Sequence, residues 1–98
     1  MRFELLYTPT ASAQRNQLER HPSAVKVWRA VRKTLALMEA NLHHPSLQTH
    51  KYRSLEGPNG EEVFEAYVQQ KTPAAFRVFW CYGPLKKQIT IVAITPHP

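Results

Sequence analysis

Three apolar runs follow one another closely near the end of this chain, at about Val63–Gln69, Phe76–Tyr82 and Gln88–Thr95. Connections this short leave no room for a crossover, so consecutive runs must pair antiparallel. Gly83-Pro84 turns the last pair, and Lys71-Thr72-Pro73 lies in the bend of the first. Strand side chains alternate between faces. Phe64, Ala66 and Val68 form one apolar face, continued by Phe76, Val78, Trp80 and Tyr82 on the next run. Glu65 and Tyr67 then share the opposite face with Arg77, Phe79 and Cys81. If Val68 opposes Phe76, Tyr67 sits beside Arg77 and Glu65 is its diagonal neighbour. His97 emerges after the third run, close to that same face.

The apolar face needs a cover, and the first half of the chain supplies one. Ala24, Trp28, Val31, Leu35, Met38 and Leu42 recur at alternating steps of four and three, which makes one stripe of a long helix. That helix opens at Pro22-Ser23 and ends near Asn41, ahead of His43-His44-Pro45. Before it, Phe3, Leu5 and Tyr7 alternate as in a strand. Thr8-Pro9 reads as an N-cap with proline in the first turn of a helix running to about Arg20. That helix is weakly amphipathic, with Leu18 as its one large apolar residue. Pro45 to Gly60 reads as a loop with turn signals at Gly57-Pro58 and Asn59-Gly60. The sum is an α+β fold in one domain spanning 1–98. An N-terminal strand and two helices on one sheet face join a mainly antiparallel sheet completed by three C-terminal strands.

The charge balance narrows the partners. Net charge is +6, and all 7 acidic residues are glutamates. Such an excess on a chain of 98 residues favours a polyanion or an acidic protein. Lys26, Arg29 and Lys33 lie on the helix side opposite the apolar stripe, and Lys51 and Arg53 lie in the loop. Each set reads equally as a solvated surface. No run is long enough to span a bilayer. The N-terminal residues alternate like a strand and lack a signal-peptide pattern, so a cytoplasmic protein without a membrane partner is expected. The lone Cys81 agrees with that compartment. His43, His44, His50, His97 and Cys81 match no common zinc spacing, so no metal is expected. There is no glycine-rich phosphate loop and no paired-carboxylate motif.

Arg77 and His97 are the residues with most chemistry to offer. An arginine and a histidine sharing a sheet face suit a phosphate group, one as fixed charge and the other as proton donor. Arg77 reads as well as an ion-pair partner of Glu65. Tyr67 reads as well as a cross-strand packing residue.

The order of elements resembles the RelE/ParE superfamily of bacterial toxins, over nearly the whole chain and most strongly from Lys51 onward. Lys51-Tyr-Arg-Ser-Leu55-Glu-Gly57 is similar to the lysine–leucine–glycine segment of that family. Phe76-Arg77-Val78-Phe79-Trp80 is similar to its aromatic–arginine–aliphatic strand. Ile89-Thr-Ile-Val-Ala-Ile-Thr-Pro-His97-Pro98 resembles the last strand and terminal histidine of the YoeB-like branch.

The resemblance implies the toxin of a type II toxin–antitoxin system, a ribosome-dependent endoribonuclease that cuts mRNA and stops translation. It implies no cofactor. Arg77 would stabilise charge on the phosphate, His97 would protonate the leaving 5′-oxygen, and Glu65 or Tyr67 would take or orient the 2′-hydroxyl proton. Lys51, Arg53, Lys26, Arg29 and Lys33 would hold RNA by its backbone. The implied partners are a small acidic antitoxin, the ribosome and mRNA. Family members often carry lysine or arginine where this chain has Glu65 and Tyr67. That departure keeps two other readings open: a ParE-like gyrase inhibitor without enzymatic activity, and a degenerate inactive toxin.

Overall fold

A computed structural model describes residues 2–69 and 75–97. Five strands and two α-helices follow in the order β1 (Glu4–Tyr7), α1 (Pro9–Arg20), α2 (Val25–Ala40), β2 (His50–Glu56), β3 (Glu62–Tyr67), β4 (Phe76–Tyr82) and β5 (Gln88–Pro96). The sheet order is β1-β5-β4-β3-β2, with β1 parallel to β5 and the other neighbours antiparallel. This is the expected α+β arrangement. The bend at Lys71-Thr72-Pro73 lies outside the described residues.

The helices cover one sheet face along the predicted stripe. Val31, Leu35, Met38 and Leu42 are buried with Ala66, Val78, Trp80, Ile89, Ile91 and Ile94, and Phe64, Val68 and Phe76 pack against them. Apolar burial of this kind is the main favourable term in the fold. The rings of Phe64 and Trp80 stack with centroids 4.9 Å apart. No helix among the described residues is long and apolar enough to cross a membrane.

One segment departs from expectation. Pro45 to Gly60 is not all loop: a short 3-10 turn at Pro45–Leu47 leads into β2, which pairs with β3. Its His50, Lys51, Tyr52 and Arg53 alternate ring and cation, a strand period with little aliphatic content. The Glu65 face of the sheet is also less open than a solvent face. Val63, Phe79, Cys81 and Ala93 are buried there, with Tyr52 and Val92 packed on them. Gly57 closes this floor. A Cβ on Gly57 would come within 2.5 Å of Glu61 Oε1 and 3.0 Å of Cys81 Sγ.

A weakly amphipathic α1 persists because polar contacts hold it. β1 covers β5 only as far as Ile91. Beyond that point the β5 edge needs other partners. Thr8 Oγ1 accepts from Ala11 N at 3.1 Å as the helix N-cap and donates to Val92 O at 2.9 Å. Ile94 N donates to Gln14 Oε1 at 2.7 Å. Helix α1 thus completes the backbone bonding of β5.

The β4–β5 ladder carries a bulge. Phe79 faces Ala93 while Trp80 faces Ile91, so Val92 is an extra residue. Val92 and Ala93 both pack on the outer face, and Ile94 turns back to the helices. Strict alternation from Ile91 would carry His97 to the helical face. The bulge brings it to the other one.

Gln14→Ala is expected to cost about 1–3 kcal/mol in urea unfolding, since it leaves the Ile94 N–H unpaired. Gln17→Ala, on the exposed side of the same helix, should change stability by less than about 0.5 kcal/mol. Burial raises the Cys81 thiol pKa, and the nearby Glu61 charge raises it further. The native thiol should therefore react slowly with a disulfide reagent at neutral pH and quickly once urea unfolds the chain.

Candidate active site

Glu65 is the centre of the outer face. Its side chain is only 1% exposed, and a buried carboxylate needs a partner for each oxygen. Strand β2, beside β3, and the end of β5, across β4, supply them. His50, opposite Glu65 on β2, sets its Nε2 2.7 Å from Oε1. His97, just past β5, sets its Nδ1 2.5 Å from Oε2. The His50 and His97 side chains are 47% and 46% exposed, so the carboxylate is enclosed while both rings reach the surface.

His97 is held through its backbone as well. Its N–H donates to Ala75 O at 2.8 Å, extending the β4–β5 ladder past Pro96. Donation from Nδ1 to Glu65 fixes the tautomer and leaves Nε2 as the free ring nitrogen.

Arg77 and Tyr67 are direct partners across β3 and β4, the register expected from the sequence. The guanidinium carbon lies 3.9 Å from the Tyr67 ring centroid, a close cation–π stack. Nη1 donates to Gln69 O at 2.6 Å and Phe76 O at 3.1 Å. The Nε lies 3.5 Å from Glu65 Oε2 and has no hydrogen-bond partner among the described residues. Arg77 does pair with Glu65, as the sequence allowed, but the pair is largely buried rather than on the surface. Its side chain is 11% exposed and its charge is fixed from several sides.

Four sequence-selected residues, Glu65, Tyr67, Arg77 and His97, therefore meet at one site. The basic residues are dispersed. Lys51 is exposed and lies 3.4 Å from Glu62, and Arg53 is exposed on β2. Lys26 and Arg29 are exposed on α2, in the helical layer, whereas Lys33 borders a small cleft with Tyr67 and Val68. Among the described residues no group of three or more His, Cys, Asp or Glu side chains is arranged to hold a metal.

Two site residues escape the sequence reading, and both come from β2. His50 contacts Glu65. Tyr52, two residues on, packs on Phe79 at 4.8 Å between centroids and meets His97 in a T-shaped contact at 6.3 Å. The alternation of His50 and Tyr52 with Lys51 and Arg53 was the available signal.

No protein-family model matches the chain, and no curated protein matches it. Solved structures do. A YoeB/ParE toxin from Agrobacterium tumefaciens aligns with a TM-score of 0.69 at 7% identity, over 98% of this chain and 100% of its own. A YoeB dimer from Staphylococcus aureus aligns with a TM-score of 0.65 at 12% identity, over 100% of both chains. An archaeal RelE from a RelE–RelB complex of Pyrococcus horikoshii OT3 aligns with a TM-score of 0.62 at 18% identity, over 98% of this chain and 96% of its own. Identity this low bears on backbone alone, and across nearly its whole length this chain has the fold of the RelE/ParE toxin superfamily.

Proposed function

We propose that this protein is the toxin of a toxin–antitoxin pair and acts as a ribosome-dependent mRNA endoribonuclease. The observation that carries the reading is the half-exposed His97 ring, anchored through Nδ1 to a buried carboxylate, beside a fixed arginine. Solved structures of similar fold include toxins held by antitoxins, among them the RelE–RelB complex and a YoeB–YefM complex from Staphylococcus aureus. An acidic antitoxin suits a chain of net charge +6.

In the reaction, the 2′-oxygen of the RNA bonds to the adjacent phosphorus and the bond to the 5′-oxygen breaks. The products are a cyclic phosphate and a 5′-hydroxyl. Protonated His97 gives its Nε2 proton to the leaving 5′-oxygen. Glu65 holds that ring in place. Both Glu65 oxygens are occupied, so the 2′-hydroxyl proton passes to water on the open side of the site. Arg77 stabilises the charge that builds on the phosphate. Carbonyls and the Tyr67 ring already fix it, so little reorganisation is needed as that charge develops. Tyr67 contributes its ring rather than its hydroxyl. Lys51, Arg53, Lys26, Arg29 and Lys33 bind RNA phosphates without reading sequence.

The test is cleavage of mRNA on purified ribosomes. His97→Ala and Arg77→Ala should each lower the rate by on the order of 100-fold or more while thermal melting shows a folded protein. An intact chain that leaves ribosome-bound mRNA uncut overturns the reading, as does a fully active His97→Ala. Tyr67→Phe should keep its activity, because the stacked ring remains, and Tyr67→Ala should lose most of it. The reverse pattern, with Tyr67→Phe inactive, would assign the phenol a proton-transfer role.

A further inference from the structure

Only one oxygen of Glu65 holds His97. A glutamate carboxylate rotates easily about its last torsion, which is broad and two-fold rather than staggered. A single anchor at Oε2 would leave the carboxylate free to turn and His97 free to follow. The second oxygen is therefore decisive, and His50 occupies it.

The clamp is itself braced. His50 Nδ1 lies 2.9 Å from Gln48 O, while Nε2 lies 2.7 Å from Glu65 Oε1. Both partners are oxygen acceptors, one at each ring nitrogen, so the ring is held from two sides. The Gln48 carbonyl is fixed in turn. Gln48 takes a left-handed backbone conformation at φ 47° and ψ 42°, and its N–H donates to Pro45 O at 3.1 Å. The His50 and Tyr67 rings meet in a T-shaped arrangement, with centroids 5.8 Å apart. With both nitrogens engaged, His50 has no free atom for proton transfer.

We propose that His50 is a positioning residue: it locks the Glu65 carboxylate in the one setting that holds His97 by Nδ1 and leaves His97 Nε2 facing the open side. The catalytic consequence rests on the nuclease reading above; the clamp does not. Without His50, Oε1 becomes a buried acceptor lacking a partner. The carboxylate can then turn, and the histidine it orients loses its single tautomer, as happens when groups that orient a functional histidine are removed.

Two measurements on the full chain test this. The first is steady-state cleavage of ribosome-bound mRNA. The second is the nitrogen-15 spectrum of the His97 ring under conditions where it is neutral. His50→Ala should lower kcat by on the order of 10–100-fold with KM unchanged, and should convert His97 from one tautomer to a mixture. His50→Gln, whose amide nitrogen can still donate to Oε1, should recover most of the rate and the single tautomer. If the alanine variant does not fold, His50→Phe, which keeps a ring without donors, is measured in its place with the same expectations. An unchanged His97 tautomer in the donor-free variant, or an effect on KM alone, overturns the proposal. If the intact chain cuts no mRNA, the nuclease reading falls and the spectra still decide the clamp.

Discussion

A carboxylate withdrawn from water sets the terms for the outer face of this sheet. Taking Glu65 to 1% exposure is costly unless each oxygen finds a donor. Three elements are committed to meeting that demand. β2 must approach closely enough to deliver His50, the end of β5 must stay ordered enough to deliver His97, and β4 brings the Arg77 charge within 3.5 Å. The apolar floor of Val63, Phe79, Cys81 and Ala93 keeps water from competing beneath. An otherwise expensive buried charge thereby organises the exposed rings around it.

The same arrangement divides labour between the two sheet faces. The helical face carries the large aliphatic and aromatic core, including Trp80, Met38 and three isoleucines. The other face has a smaller floor and spends its remaining positions on polar side chains. Edge strand β2 has little apolar content of its own. His50 and Tyr52 dock it onto the sheet, so the residues that complete the site are also those that seat the strand.

Much of this was legible in the residues. The four-three stripe from Ala24 to Leu42 marked α2, and the parity of Phe64, Ala66 and Val68 placed Glu65 and Tyr67 together on the far face. The register that sets Val68 opposite Phe76 put Tyr67 against Arg77, and the ladder has that pairing. What stayed hidden has physical causes. β2 lacks the aliphatic alternation that signals a strand, because cross-strand polar and aromatic contacts hold it. The Val92 bulge reverses side-chain parity midway along a continuous apolar run, where no glycine or proline marks it. Burial of Glu65 is a tertiary property: nothing in the local sequence reports that histidines from two distant strands converge on one carboxylate.

The hydrogen bonds from Thr8 and to Gln14 have a consequence for how the molecule opens. They tie α1 and its cap to the part of β5 that runs from the bulge toward His97. Unravelling the helix alone would strip partners from the carbonyl of Val92 and the N–H of Ile94. A helix with so thin an apolar stripe would ordinarily be an early element to detach. Here its opening is coupled to that of the strand leading to the site, so the two share one cooperative unit. The order of the outer face is thereby supported from the opposite side of the sheet.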